Sequence, residues 1–133
     1  SVAGKAASAR LKTLTEAKQK ELGDKSKQLQ ALTTKRDTSL GVMNDAARQQ
    51  LDKDIDRLQR EIQFAQSNAQ ADVQALNAEL MEEFQRKLAP IIEAVAKEKG
   101  LYMIFTPDSG FAYLHPGLNI TEDVIKRLDA TKK

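Results

Sequence analysis

The stretch from Asn44 to Gly100 constrains the fold more than any other part of the sequence. Leu51, Ile55, Leu58, Ile62, Ala65, Ala69, Val73, Leu76 and Leu80 recur in steps of three and four, which places them along one side of an α-helix. Asn44 is a good N-cap and Asp45 suits the first turn. Lys97 and Lys99 followed by Gly100 give the usual stop. An unbroken helix over Asp45–Lys99 has 55 residues and, at 1.5 Å per residue, runs roughly 80 Å. A rod of that length cannot be wrapped by a chain of 133 residues, so it must project and find a partner.

The partner is in the same chain. Residues 1–36 read as a first helix with Gly4, Ala7, Leu11, Leu14, Lys18, Leu22, Lys25, Leu29 and Leu32 on one stripe, and Thr33 to Val42 has the Thr, Ser, Asp and Gly content of a turn. Antiparallel helices pair positions whose numbers have a constant sum. Leu32 then faces Leu51, Leu29 faces Ile55, Leu22 faces Ile62, Leu14 faces Ala69, Leu11 faces Val73, Ala7 faces Leu76 and Gly4 faces Leu80. Lys25 falls opposite Leu58 and Lys18 opposite Ala65, so both should lay their methylenes along the seam and hold the ammonium in water. A four-residue step replaces a three-residue one at Leu14–Lys18–Leu22 and at Ala65–Ala69–Val73, which relaxes left-handed supercoiling and predicts that the arm straightens or bends there.

The second helix outruns the first and stays apolar at Phe84, Leu88, Ile91, Ile92 and Val95, so that end needs cover of its own. Pro90 removes one helical hydrogen bond and predicts a kink rather than an end. Leu101–Thr106 (LYMIFT) reads as a strand, Pro107–Gly110 as a turn and Phe111–Leu114 as a second strand; Thr121 is expected to cap a short helix over Glu122–Leu128. A two-stranded hairpin is marginal alone, which points to association with other chains. The expected organisation is a mainly α chain with a small β part: a helical hairpin arm over 1–83 with its tip near 37–44, and a body segment over 84–133 that holds the β-hairpin 101–114 and the C-terminal helix 121–130.

Charge is unevenly spread. Residues 1–36 hold nine Lys/Arg against three Asp/Glu, whereas Asp45–Lys99 hold eight against eleven. A basic limb attracts acidic polypeptides, lipid head groups or nucleic acid without choosing among them, and its bland alternative is a solvated helix face. The mixed charge, with no aromatics interleaved with Arg, argues against nucleic acid. With no cysteine there is no thiolate site or disulfide. His115, the single histidine, sits beside Pro116 at a strand end and reads as surface. Asp52, Asp54 and Asp56 mimic the start of a calcium loop but lack its glycine and bidentate Glu. Asn119-Ile120-Thr121 has the form of a glycosylation sequon, for which helix capping is the better account. No catalytic, metal or cofactor site is expected.

The start GKAASARLK, the NDAARQQLDKDI that opens the second limb and above all the ending EKGLYMIFTPDSGFAYLHPGLNITEDVIKRLD resemble the Skp/OmpH-like periplasmic chaperones of Gram-negative bacteria. The tail is the specific part, and the resemblance covers essentially the whole chain. It implies a homotrimer in which a β-rich body joins three helical arms around a cavity. It implies also an ATP-independent holdase that keeps unfolded outer-membrane β-barrel proteins soluble in the periplasm. Family members begin with a strand ahead of the GKA segment and this sequence starts at Ser1, so the expectation is an unpaired edge on the Leu101–Leu114 hairpin and weakened trimerisation. Expected client contacts are Lys18, Lys25, Lys35 and Arg36 of the basic limb with Leu40, Val42 and Met43 at its tip. Leu101, Met103, Ile104, Phe105, Phe111, Tyr113, Ile120, Val124 and Leu128 are expected to build the body and its self-association. The family link to lipopolysaccharide adds an anionic lipid as a partner, with no matching residues here. The rival reading is a coiled-coil scaffold that binds a folded partner.

Overall fold

A computed structural model describes residues 1–39, 41–110 and 112–131. Three α-helices follow one another: α1 (Val2–Thr38), α2 (Asp45–Lys99) and α3 (Thr121–Ala130). Two single 3₁₀ turns, Pro107–Ser109 and Pro116–Leu118, interrupt the connection between α2 and α3. The chain divides into two compact units, one formed by Ser1–Ala9 with Asn77–Lys133 and the other by Arg10–Leu76.

In the unit Arg10–Leu76, α1 and α2 lie antiparallel, since Lys18 is bonded to Asp72 while the later Lys25 is bonded to the earlier Glu61. Every stripe position of this unit is at least half-buried on both helices, and Leu51, Ile55 and Leu58 are fully buried. The apolar spacing is the cause, because a helix can shield one side only. The link between the helices is tight. Ser39 and Met43 are joined by a backbone bond of 3.1 Å, and the Oδ1 of Asn44 accepts from the N–H of Ala47 at 2.8 Å, the cap that the sequence predicts. α1 runs two residues beyond the expected Arg36, and in its last turn the Thr38 hydroxyl donates to the carbonyl of Thr34 at 2.8 Å.

In the other unit the buried side chains are Leu80, Ile91, Val95 and Leu128, with Val95 only 1% exposed. α2 passes through Pro90 without ending. Its C-terminus is closed by two backbone bonds, Gly100 N–H to Lys97 C=O at 3.3 Å and Leu101 N–H to Ala96 C=O at 2.9 Å. This pattern needs a left-handed residue at the turn, and Gly100 has φ of +62°. α3 is held to the end of α2 by ion pairs from Lys99 to Asp123, at 2.7 Å, and from Arg127 to Glu98. The Oδ1 of Asp129 also accepts from the N–H of Val2 at 2.8 Å.

Two expectations need correction. Among the described residues there is no strand, so the β-hairpin over 101–114 does not form in the isolated chain. The reason is the one that makes any such hairpin marginal: its backbone groups need a neighbouring ladder, and no other strand stands among the described residues. The start of α3 also differs, since Thr121 does not cap it. The helix begins at Thr121, and Asn119 supplies the side chain, its Oδ1 accepting from the N–H of Thr121 at 3.0 Å.

Candidate functional site

The basic limb is less bare than its composition suggests. Lys18 and Lys25 occupy stripe positions with side chains 26% and 25% exposed, and their ammonium groups reach Asp72 at 2.6 Å and Glu61 at 2.9 Å rather than water alone. Lys12 and Lys20 pair along their own helix with Glu16 and Asp24, and Arg36 donates from Nε to Asp37 at 3.0 Å. Lys5, Lys27 and Lys35 have no such partner among the described residues. Lys27 and Lys35 line one shallow open groove along α1 with Gln30, Ala31, Thr34 and Thr38. Sequence reasoning placed Lys27 in the basic limb but did not single it out.

These pairs fix the charges they involve. The hydrogen bond from Lys25, then its charge, holds the Glu61 carboxyl below its ordinary range despite some desolvation, and the bond to Asp72 raises Lys18. The Glu98 carboxyl is likewise held down by its bond from Arg127, and Asp123 by its bond from Lys99. All are ionised at neutral pH. The signal for Glu61 and Asp72 was available in the sequence, since each lies one residue from the seam on the acidic limb.

At the tip, Val42 is 87% exposed, Met43 is half-buried and Leu40 lies outside the described residues. The largest apolar exposure is elsewhere, between α2 and α3. Tyr102, Met103, Phe105, Tyr113, Leu114 and Leu118 are all exposed, and Ile104 less so. Leu101, Ile120 and Val124 are half-buried and Leu128 is buried; Phe111 lies outside the described residues. The sites expected for self-association therefore split into a buried set and a set that faces water. Such a run of exposed aromatic and aliphatic side chains marks an interaction surface.

The remaining sequence features have local roles. The Nδ1 of His115 accepts from the N–H of Gly117 at 3.1 Å and closes the turn Pro116–Leu118. Asp54 receives Gln50 at 3.2 Å and Arg57 at 3.5 Å on a solvated helix face. No group of three or more potential metal ligands gathers among the described residues, and no helix there is long and apolar enough to cross a membrane.

These features describe a helical-hairpin protein with a basic limb and an exposed apolar segment before its last helix. The family model described as outer membrane protein (OmpH-like) matches residues 1–128, and the chain belongs to that family. No curated protein matches the chain.

Proposed function

We propose that the chain is an ATP-independent holdase of the periplasm, one that binds unfolded outer-membrane β-barrel proteins and prevents their aggregation. The observation that carries this reading is the OmpH-like match over residues 1–128, a family of chaperones rather than enzymes, on a chain whose hairpin has the predicted seam. The working form is a homotrimer. The exposed side chains Tyr102, Met103, Phe105 and Tyr113 support association, and in the trimer the segments around them pair as strands, each supplying the ladder its neighbour lacks. Residues 1–83 act as the arm and 84–133 as the body.

Clients meet the arm near its tip. Lys35 and its neighbour Lys27, free of carboxylate partners, offer charge to acidic segments, and Val42 with Leu40 and Met43 offers apolar contact. Lys18, Lys25 and Arg36 reach clients only by giving up the carboxylates they already hold. An anionic lipid head group could use the same free cations.

The test is light scattering of a urea-unfolded outer-membrane β-barrel protein on dilution, with no nucleotide present. Suppression is expected at one trimer equivalent per client, and it should weaken as salt screens the free cations. Unchanged aggregation at that ratio overturns the proposal. Capture of a folded partner instead would favour the scaffold reading.

A further inference from the structure

The unit Arg10–Leu76 is closed in two different ways. Its fully buried side chains, Leu51, Ile55 and Leu58, all lie toward the start of α2. From Ile62 to Leu76 every stripe residue is only half-buried, and the small Ala65 and Ala69 fill its middle. On α1, Lys18 stands opposite Ala65 within this stretch and Lys25 opposite Leu58 at its edge, two cations where the stripe would otherwise carry aliphatic groups. Their stems lie along the seam and their ammonium groups cross to the other helix.

We propose that Lys18–Asp72 and Lys25–Glu61 form an electrostatic latch: the two helices part locally when these pairs are screened or Glu61 is protonated, while the Leu51–Leu58 end stays shut. Removing the charge attraction leaves Lys18 facing Ala65, and Lys25 facing the edge of the buried end at Leu58. The shut end keeps its apolar burial, which salt strengthens rather than weakens. This holds whether or not the chain is a chaperone.

The groups that act on the latch are few. Lys18 faces Asp72 from α2 and Glu21 on its own helix; Glu61 faces Lys25 from α1 and Arg57 on its own helix. Both acceptor side chains are about half exposed, Asp72 at 51% and Glu61 at 46%, so solvent ions reach them. The Lys25–Glu61 bond pulls the Glu61 carboxyl below its ordinary 4.5, so this closure is fully present above that value and is lost as pH falls through the lowered one. Lys18 is raised above its ordinary 10.5, so its pair is fully present below that value and is lost as pH rises through the raised one. The Lys25–Glu61 half of the latch is therefore shut at neutral pH and opens in acid.

The sequence contains no cysteine, so introduced pairs carry spin labels without competition. Gln19→Cys with Gln66→Cys reads the latch, and Gln30→Cys with Lys53→Cys reads the shut end. At 1 M salt, where the screening length is about 3 Å, the first distance should lengthen and its distribution broaden while the second stays unchanged. Acid below the lowered Glu61 value should do the same. Glu61→Gln with Asp72→Asn should give the open distribution at neutral pH. Lys18→Leu with Lys25→Leu should keep the first distance short at every salt and pH. A first distance that ignores both salt and acid overturns the proposal. So does broadening of both pairs together, or an unaltered salt response in the double leucine variant.

Discussion

The hairpin in Arg10–Leu76 and the connection between α2 and α3 are both rich in apolar side chains, and they use them differently. In the hairpin each backbone N–H finds its carbonyl four residues away, so a helix forms before any neighbour is present, and the stripe then needs cover on one side only. The segment after Leu101 has the β-branched and aromatic content of a strand, but a strand's hydrogen bonds must come from another strand. Among the described residues no strand is present to supply them. The contrast shows that apolar content drives burial only where the backbone can close its own hydrogen bonds. It also leaves Tyr102, Phe105 and Tyr113 in water, where a second chain would find them.

Truncation should separate the two regions sharply. Ile55→Ala removes a side chain that is 4% exposed and should cost about 2–5 kcal/mol in urea unfolding followed by helical circular dichroism. Met103→Ala in the connection should shift the same curve by less than about 0.5 kcal/mol, and equal shifts would end the contrast. Gly100→Ala probes the joint between the regions. Its left-handed conformation is costly for any side chain, so thermal unfolding should report a loss of about 1–2 kcal/mol, and a neutral result would mean that the end of α2 has no fixed turn. A more local effect is expected at the tip. Asn44→Ala removes the cap on Ala47 and should cost about 1 kcal/mol, with amide exchange rising first in the opening turn of α2.

Much of the hairpin was legible because helical periodicity is a local property. The nine stripe positions on each helix are the positions that the fold shields, and the bounds of α2 follow from Asn44 and Gly100. The expected end of α1 falls two residues short because threonine content suggests a turn, whereas Thr38 stays helical with its hydroxyl donating to the carbonyl of Thr34. Asn119 was passed over as a cap because Thr121 stands at the more familiar offset, yet the side chain that reaches the helix N–H is the earlier one. The expected strands were beyond reach for a physical reason: whether LYMIFT pairs depends on what stands beside it. Charge was legible as a total but not as an arrangement. A count of cations in residues 1–36 says nothing of which ammonium a facing carboxylate already holds, and only geometry separates Lys18 and Lys25 from Lys27 and Lys35.

α1 has no fully buried side chain anywhere along its 37 residues. Each seam position asks only for something roughly apolar and of moderate bulk, and the outward positions ask for little beyond helix propensity. A limb built to such loose tolerances can exchange most of its letters over evolutionary time and still fold back correctly. Kinship in hairpins of this type is therefore carried by spacing and by the tail rather than by residue identity.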